Sequence, residues 1–149
     1  MPTLPTDQEN LLYAVGNGAS TDLQEALNLA KDDARADIAR KLETRIDSVF
    51  KRFHKEIGVG EDAEFLTQAF DISKSVTSKV LSGLRVAKTK SVKEGVIFQA
   101  YVLIEVPIDA ANTTLMDAIK NRENMYTRFQ ASPGFQELED EVEKYEEYK

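Results

Sequence analysis

Apolar residues change their spacing along this chain, and each change marks an element. Leu11, Leu12, Tyr13, Ala14 and Val15 form a short apolar run, the signature of a buried strand. Gly16-Asn17-Gly18 reads as the turn leaving it. From Thr21 the spacing lengthens to threes and fours. Leu23, Ala26, Leu27, Ala30, Ala34, Ile38, Leu42, Ile46, Val49, Phe50, Phe53 and Ile57 then share one face of a long helix. Thr21, with Gln24 three residues later, has the pattern of a capping box. The opposite face carries Lys31, Asp32, Asp33, Arg40, Lys41, Glu43 and Lys51. Along the apolar face the side chains grow from alanine to phenylalanine. Alanines let a helix backbone lie close to what it covers, so the start is predicted to sit tightly on a sheet. The end is predicted to stand off or meet another element.

Gly58-Val59-Gly60 predicts a helix stop with a positive-φ residue. A second helix is expected from Asp62 to Leu81, with Phe65, Leu66, Ala69, Ile72, Ser73, Val76 and Val80 inward and Gly83 as its end. Residues 84–92 and 96–106 read as a hairpin turning at Lys93-Glu94-Gly95. The second strand is apolar on one face, at Val96, Phe98, Ala100, Val102, Ile104 and Val106. Its other face, with Ile97, Gln99, Tyr101, Leu103 and Glu105, is mixed. That mixture predicts a face half covered by C-terminal helices or by another subunit.

After Pro107 a third helix is expected from Asp109 or Asn112, carrying Leu115, Ile119, Arg122, Tyr126 and Phe129, with a break at Pro133-Gly134. The last segment steps through Phe135, Leu138, Val142 and Tyr145 at the spacing of a coiled-coil seam. Its acids at 137–141 suit a helix N-terminus, whereas Glu146 and Glu147 oppose the dipole. The expected organisation is a flexible leader over 1–9, a domain over 10–131 and an acidic helix over 132–149. The expected class is α+β: a small three-stranded sheet packed by the long N-terminal helix and a second helix, with added C-terminal helices.

The chain has 149 residues, 42 % hydrophobic and 30 % charged, enough for a proper core. A net charge of −7 argues against a general nucleic-acid binder, which needs a basic face. Lys88, Lys90 and Lys93 cluster on the hairpin and read first as solvated edge-strand lysines. With no cysteine and one histidine, disulfides, zinc–thiolate centres and multi-histidine metal sites are excluded. No apolar run nears the ~20 residues that span a bilayer, and no secretory signal is present. Met1-Pro2-Thr3-Leu4-Pro5-Thr6 resembles a linker behind a start codon, which predicts a longer precursor.

Little in the sequence points to chemistry. Gly16-x-Gly18 between strand and helix invites a dinucleotide reading. However, the third glycine of that fingerprint falls at Thr21, and a close helix–sheet approach explains the pair better. His54 reads as a surface or boundary histidine rather than a general base. The carboxylates form no cation-binding loop. Arg35 and Arg45, at the margin of the buried face, are expected to pair with acids or a partner.

The turn Gly16-Asn17-Gly18, the spacing Ala26-x-x-x-Ala30-x-x-x-Ala34-Arg35, Leu42-x-Thr44, the run from Ile72 to Gly83 and the strand Tyr101-Val102-Leu103-Ile104-Glu105-Val106 together resemble the LPP-twenty bacterial outer-membrane lipoprotein family. That family includes flagellum-associated relatives. The resemblance spans about residues 11–120. It implies a non-enzymatic envelope domain on the periplasmic face of the outer membrane. Such a domain acts as a structural or assembly component, without cofactor, metal or catalytic residues. It implies membrane attachment only through an N-terminal lipid, which this chain lacks the cysteine to carry. Partners are expected to be further copies of the chain or other envelope or flagellar proteins. Tyr101, Leu103, Phe135, Leu138, Val142 and Tyr145 are the expected contact residues. A second reading is a small-ligand or peptide-binding periplasmic module, with a pocket between Phe50 and Phe53 of the first helix and Phe65 and Phe70 of the second. A third is an enzyme using His54 with carboxylates.

Overall fold

A computed structural model describes residues 11–58 and 62–147. The leader over 1–9 and Gly60 lie outside the described residues. In chain order the elements are β1 (Leu11–Ser20), α1 (Leu23–Ile57), α2 (Ala63–Ser82), β2 (Arg85–Glu94), β3 (Ile97–Pro107), α3 (Ile108–Lys120), α4 (Glu123–Phe129) and α5 (Pro133–Glu147). The class is α+β, with the long first helix packed on a three-stranded antiparallel sheet of order β1-β3-β2. The chain divides into two compact units. A sheet unit takes Met1–Lys41 and Leu81–Ile108, and a helical unit takes Leu42–Val80 and Asp109–Lys149.

In the sheet unit, β3 lies between two edge strands. Ala26, Ala30 and Ala34 of α1 form one buried cluster with Ala100, Val102 and Ile104 of β3. Gly16 and Gly18 do not form a turn: β1 continues straight through them to Ser20. Both glycines face α1. A Cβ on Gly16 would collide with the Ala30 carbonyl and the Ala34 N–H and come within 2.9 Å of the Ala34 Cβ. A Cβ on Gly18 would collide with the Ala26 carbonyl and lie 2.6 Å from the Ala30 nitrogen. Paired glycines and alanines thus let two backbones nearly touch, as the alanine spacing implied. The cap of α1 is Asp22 rather than Thr21. Its Oδ1 accepts from the Gln24 N–H at 3.0 Å, leaving Thr21 outside the helix.

The hairpin turn is Gly95-Val96, one residue later than predicted, because Lys93 and Glu94 stay in the ladder opposite Phe98 and Ile97. Gly95 sits at φ 62, a conformation that suits glycine at the start of a two-residue loop. Val96 therefore leaves the apolar face and is 73 % exposed.

In the helical unit, α1 stops at Gly58, whose φ of 78 is the expected left-handed ending. Asp62 caps α2, its Oδ1 accepting from the Phe65 N–H at 2.7 Å. The residues that α2 buries, Phe65, Ile72 and Val76, join the helical cluster rather than the alanine–valine cluster on the sheet. The single third helix of the sequence reading is two helices, α3 and α4, which break around Asn121 and Arg122. Pro133 does not end a helix but begins α5, where its missing N–H costs nothing. Ser132 is the cap, accepting from the Phe135 N–H. Because α5 starts there, the acids at 137–141 fall beyond its first turn. Glu56 of α1 supplies the negative charge instead. Its Oε1 accepts from the Ser132 hydroxyl at 2.8 Å and the Gly134 N–H at 3.0 Å.

Candidate functional site

The sheet has one covered and one open face, and the register assigns residues to each. Alternate residues of a strand point to opposite faces. Gly16, Gly18, Ala100, Val102 and Ile104 face α1. The residues between them, Val15, Asn17, Tyr101 and Leu103, therefore occupy the open face. On β2 a bulge at Ala87 changes the pairing: Val86 opposes Ile104, but Lys88 opposes Leu103 and Lys90 opposes Tyr101. Without that extra residue Lys88 would oppose Val102 and point to the other face. The bulge thus places Lys88, Lys90 and Val92 beside Tyr101 and Leu103.

A groove of about 410 Å³ lies on this face, with Val15, Val92, Tyr101 and Leu103 as its apolar lining and Lys88 and Lys90 on the β2 side. Tyr101 is 37 % and Val92 40 % exposed, while Leu103 is buried beneath its neighbours. Two apolar side chains are thus left partly in water at the centre of a groove, beside ammonium groups.

The free edge of β1 is guarded. The Asn17 N–H donates to Asp33 at 2.9 Å, and Lys41 donates to the Tyr13 carbonyl at 2.8 Å. Asp37 holds Lys41 in turn, at 3.2 Å. Two α1 side chains that the sequence reading left as solvated surface therefore occupy backbone groups that would otherwise template another strand. The β2 edge is protected differently, by its bulge and by exposed Lys88, Lys90 and Lys93.

The tail residues expected as contacts are corrected. Phe135, Leu138 and Val142 are buried in the helical cluster with Phe53, Met125 and Phe129. Their heptad-like spacing packs α5 onto its own unit, so no seam is left for a partner. Tyr145 is half-buried on the same helix. The structure therefore does not gather the six predicted contact residues at one place; it keeps Tyr101 and Leu103 together on the open sheet face.

The expected aromatic pocket is mostly filled. Phe53 packs edge-on against Phe129 and Phe135, with ring centroids 5.2 and 5.5 Å apart. Outside it, a groove of about 420 Å³ runs between α1 and α2, with Phe50, Phe65, Leu66 and Phe70 among Glu43, Asp47, Lys51 and Lys74. Lys74 is already committed to Glu43 at 3.1 Å.

His54 is not a surface residue. It is 4 % exposed, its ring centroid lies 4.2 Å from that of Phe65, and neither ring nitrogen has a hydrogen-bond partner among the described residues. A general base needs a group to orient it, and among the described residues none hydrogen-bonds to this ring. Among the described residues Arg35 and Arg45 have no acid as ion-pair partner: they donate to the Leu81 carbonyl and the Asn112 side-chain oxygen, each at 3.4 Å. The α1 backbone fills the space above Gly16 and Gly18, and Asp22 caps the helix start, so a dinucleotide phosphate has no room there. Among the described residues no cluster of three or more metal-ligating side chains occurs. Among them, too, no helix is long and apolar enough to cross a membrane.

Against a cost of desolvation, Lys41 and then Arg40 hold Asp37 below its ordinary value, and two further carboxylates, at helix starts, are held low as well. Ser132's hydroxyl, then the Gly134 N–H and Arg52, hold Glu56 low. The Phe65 N–H, then Arg128, hold Asp62 low. Both stabilise helix starts, and neither lines the sheet groove.

Comparison with family profiles, curated proteins and solved structures finds no match to this chain. The fold is α+β, and the family resemblance rests on the quoted residues themselves.

Proposed function

We propose that this chain is a non-catalytic component of the bacterial cell envelope that works by contact, through the open face of its sheet. The observation that carries the reading is the contrast between the two faces. One is sealed by backbone-to-backbone packing of α1. The other keeps a groove with partly exposed Tyr101 and Val92 beside cationic side chains. A small domain gains nothing in stability from leaving apolar groups half in water, so such a patch is typical of a binding surface. The family resemblance supplies the compartment, the periplasmic side of the outer membrane, and the expectation of a structural or assembly role.

The test is association of the full chain. Sedimentation at increasing concentration and co-fractionation with isolated envelopes are compared for the wild type and for Val92→Glu/Tyr101→Glu. The reading expects self-association or envelope retention, lost in the double variant while its circular dichroism stays native. A chain that stays monomeric and unretained, or one whose association the substitutions leave unchanged, contradicts it.

A further inference from the structure

We infer that the open-face groove binds a single-chain anionic amphiphile, a fatty carboxylate being the simplest example, with its tail crossing β3 toward β1 and its head at β2. The inference rests on the reading of the open face as the working surface and names what seats there.

Three features of the groove select this chemistry. The first is its direction. It crosses the sheet from Val15 on β1, over Tyr101 and Leu103 on β3, to Lys88, Lys90 and Val92 on β2. The backbone groups of β3 are spent on the ladders to both neighbours. A peptide lying across this floor would bring N–H and C=O groups to a largely apolar surface with few partners, which is costly. An acyl chain has no such groups.

The second is charge. At the β2 end, Lys88 and Lys90 stand two residues apart on one face, with Cα atoms roughly 7 Å apart. Two flexible ammonium groups at that spacing can both reach one anionic head. Attraction at the β2 end draws the anionic head there.

The third is size. About 410 Å³ falls in the range of small-ligand pockets. Lys88 and Lys90 carry four-carbon stems that extend the apolar wall before the charge begins.

The experiment titrates the full chain with sodium dodecanoate below its micelle concentration, followed by amide chemical shifts. Dodecyltrimethylammonium tests the head charge, butyrate tests the tail, poly-glutamate stands for an acidic peptide, and phosphatidylglycerol vesicles stand for a membrane surface. The expected result is saturable binding of dodecanoate, with the largest shifts at Val92, Tyr101 and Leu103. Lys88→Gln/Lys90→Gln should weaken it about tenfold, the size of one lost charge-assisted pairing, and Val92→Glu should abolish it with the fold intact. The inference is overturned by no binding, by equal binding of the ammonium analogue, by poly-glutamate binding as tightly, by binding to vesicles alone, or by indifference to the lysine substitutions. If dodecanoate does not bind but Val92→Glu/Tyr101→Glu still releases the chain from envelopes, the ligand class is wrong and the contact surface stands.

Discussion

Replacing Gly16 by alanine should be among the most damaging single-methyl additions in the sheet unit. Gly16 is not left-handed, since among the described residues only Gly58 and Gly95 are, so alanine can adopt its backbone. The damage is purely steric. The new Cβ would strike the Ala30 carbonyl and the Ala34 nitrogen, backbone atoms that no rotamer change can move, and lie 2.9 Å from the Ala34 Cβ. Ordinary contact begins at 3.4 Å, so α1 must lift from β1. A gap of roughly 1 Å forfeits about half of the dispersion attraction across it. Overpacking of this kind costs about 1–3 kcal/mol. Restricting the unfolded chain returns about 0.4–1 kcal/mol. The net expectation is a loss of about 1–2 kcal/mol, larger for Gly16→Val. Urea unfolding followed by circular dichroism measures it, with unchanged slope confirming that the unfolded state is not at issue.

Gly95→Ala separates the mechanisms. No atom lies within 4 Å of its Cβ position, but its φ of 62 is strained for alanine, at about 1–2 kcal/mol. Asparagine tolerates that region, so Gly95→Asn should recover most of the loss, whereas Gly16→Asn should recover none. A Gly16→Ala protein within about 0.5 kcal/mol of wild type, the spread of ordinary surface changes, would refute the close-approach account.

Three further outcomes follow from the helical unit. His54→Leu removes two buried nitrogens that have no partner among the described residues. It should leave the protein as stable or more stable by about 1 kcal/mol in the same titration, and a loss above that would mean the ring is paired. Leu138→Glu and Val142→Glu should lower the melting temperature sharply rather than merely release a partner, because both side chains are buried in the cluster. Glu56 and Asp62 sit below their ordinary values of 4.5 and 3.8 when folded. As the pH falls through that range the unfolded chain takes up protons first, so the stability that these groups confer at neutral pH is lost on acidification. Glu56→Gln should flatten that acid limb of the melting curve and loosen α5, visible as faster amide exchange at Gly134 and Phe135.

Where the periodicity was strong, the sequence was a good guide to the fold. The ladder of apolar positions from Ala26 to Phe53 gave α1 and its division of labour: alanines against a sheet, phenylalanines in a helical core. What escaped were features decided by one residue or by distant partners. Gly16 and Gly18 look like a turn because glycine is common in turns, yet here they are strand residues emptied of side chain for α1. The bulge at Ala87 leaves only a broken alternation around Val86-Ala87-Lys88, and it decides which face the lysines take. The mixed face of β3 did flag Tyr101 and Leu103. Its groove needs Val15 and β2, which only the register brings alongside. The tail misled because a run spaced for a coiled coil packs equally well within its own unit. His54 could not be placed because Phe65, its lid, comes from the next helix.

The most direct test of the central claim puts a photo-crosslinking amino acid at Val92 on the open sheet face, and at Thr127, an exposed position of α4, in cells that express the chain. The account predicts a defined adduct with an envelope component from Val92, weakened when Lys88 and Lys90 are glutamines, and none from Thr127. No adduct from Val92, or the same adducts from both positions, would contradict it.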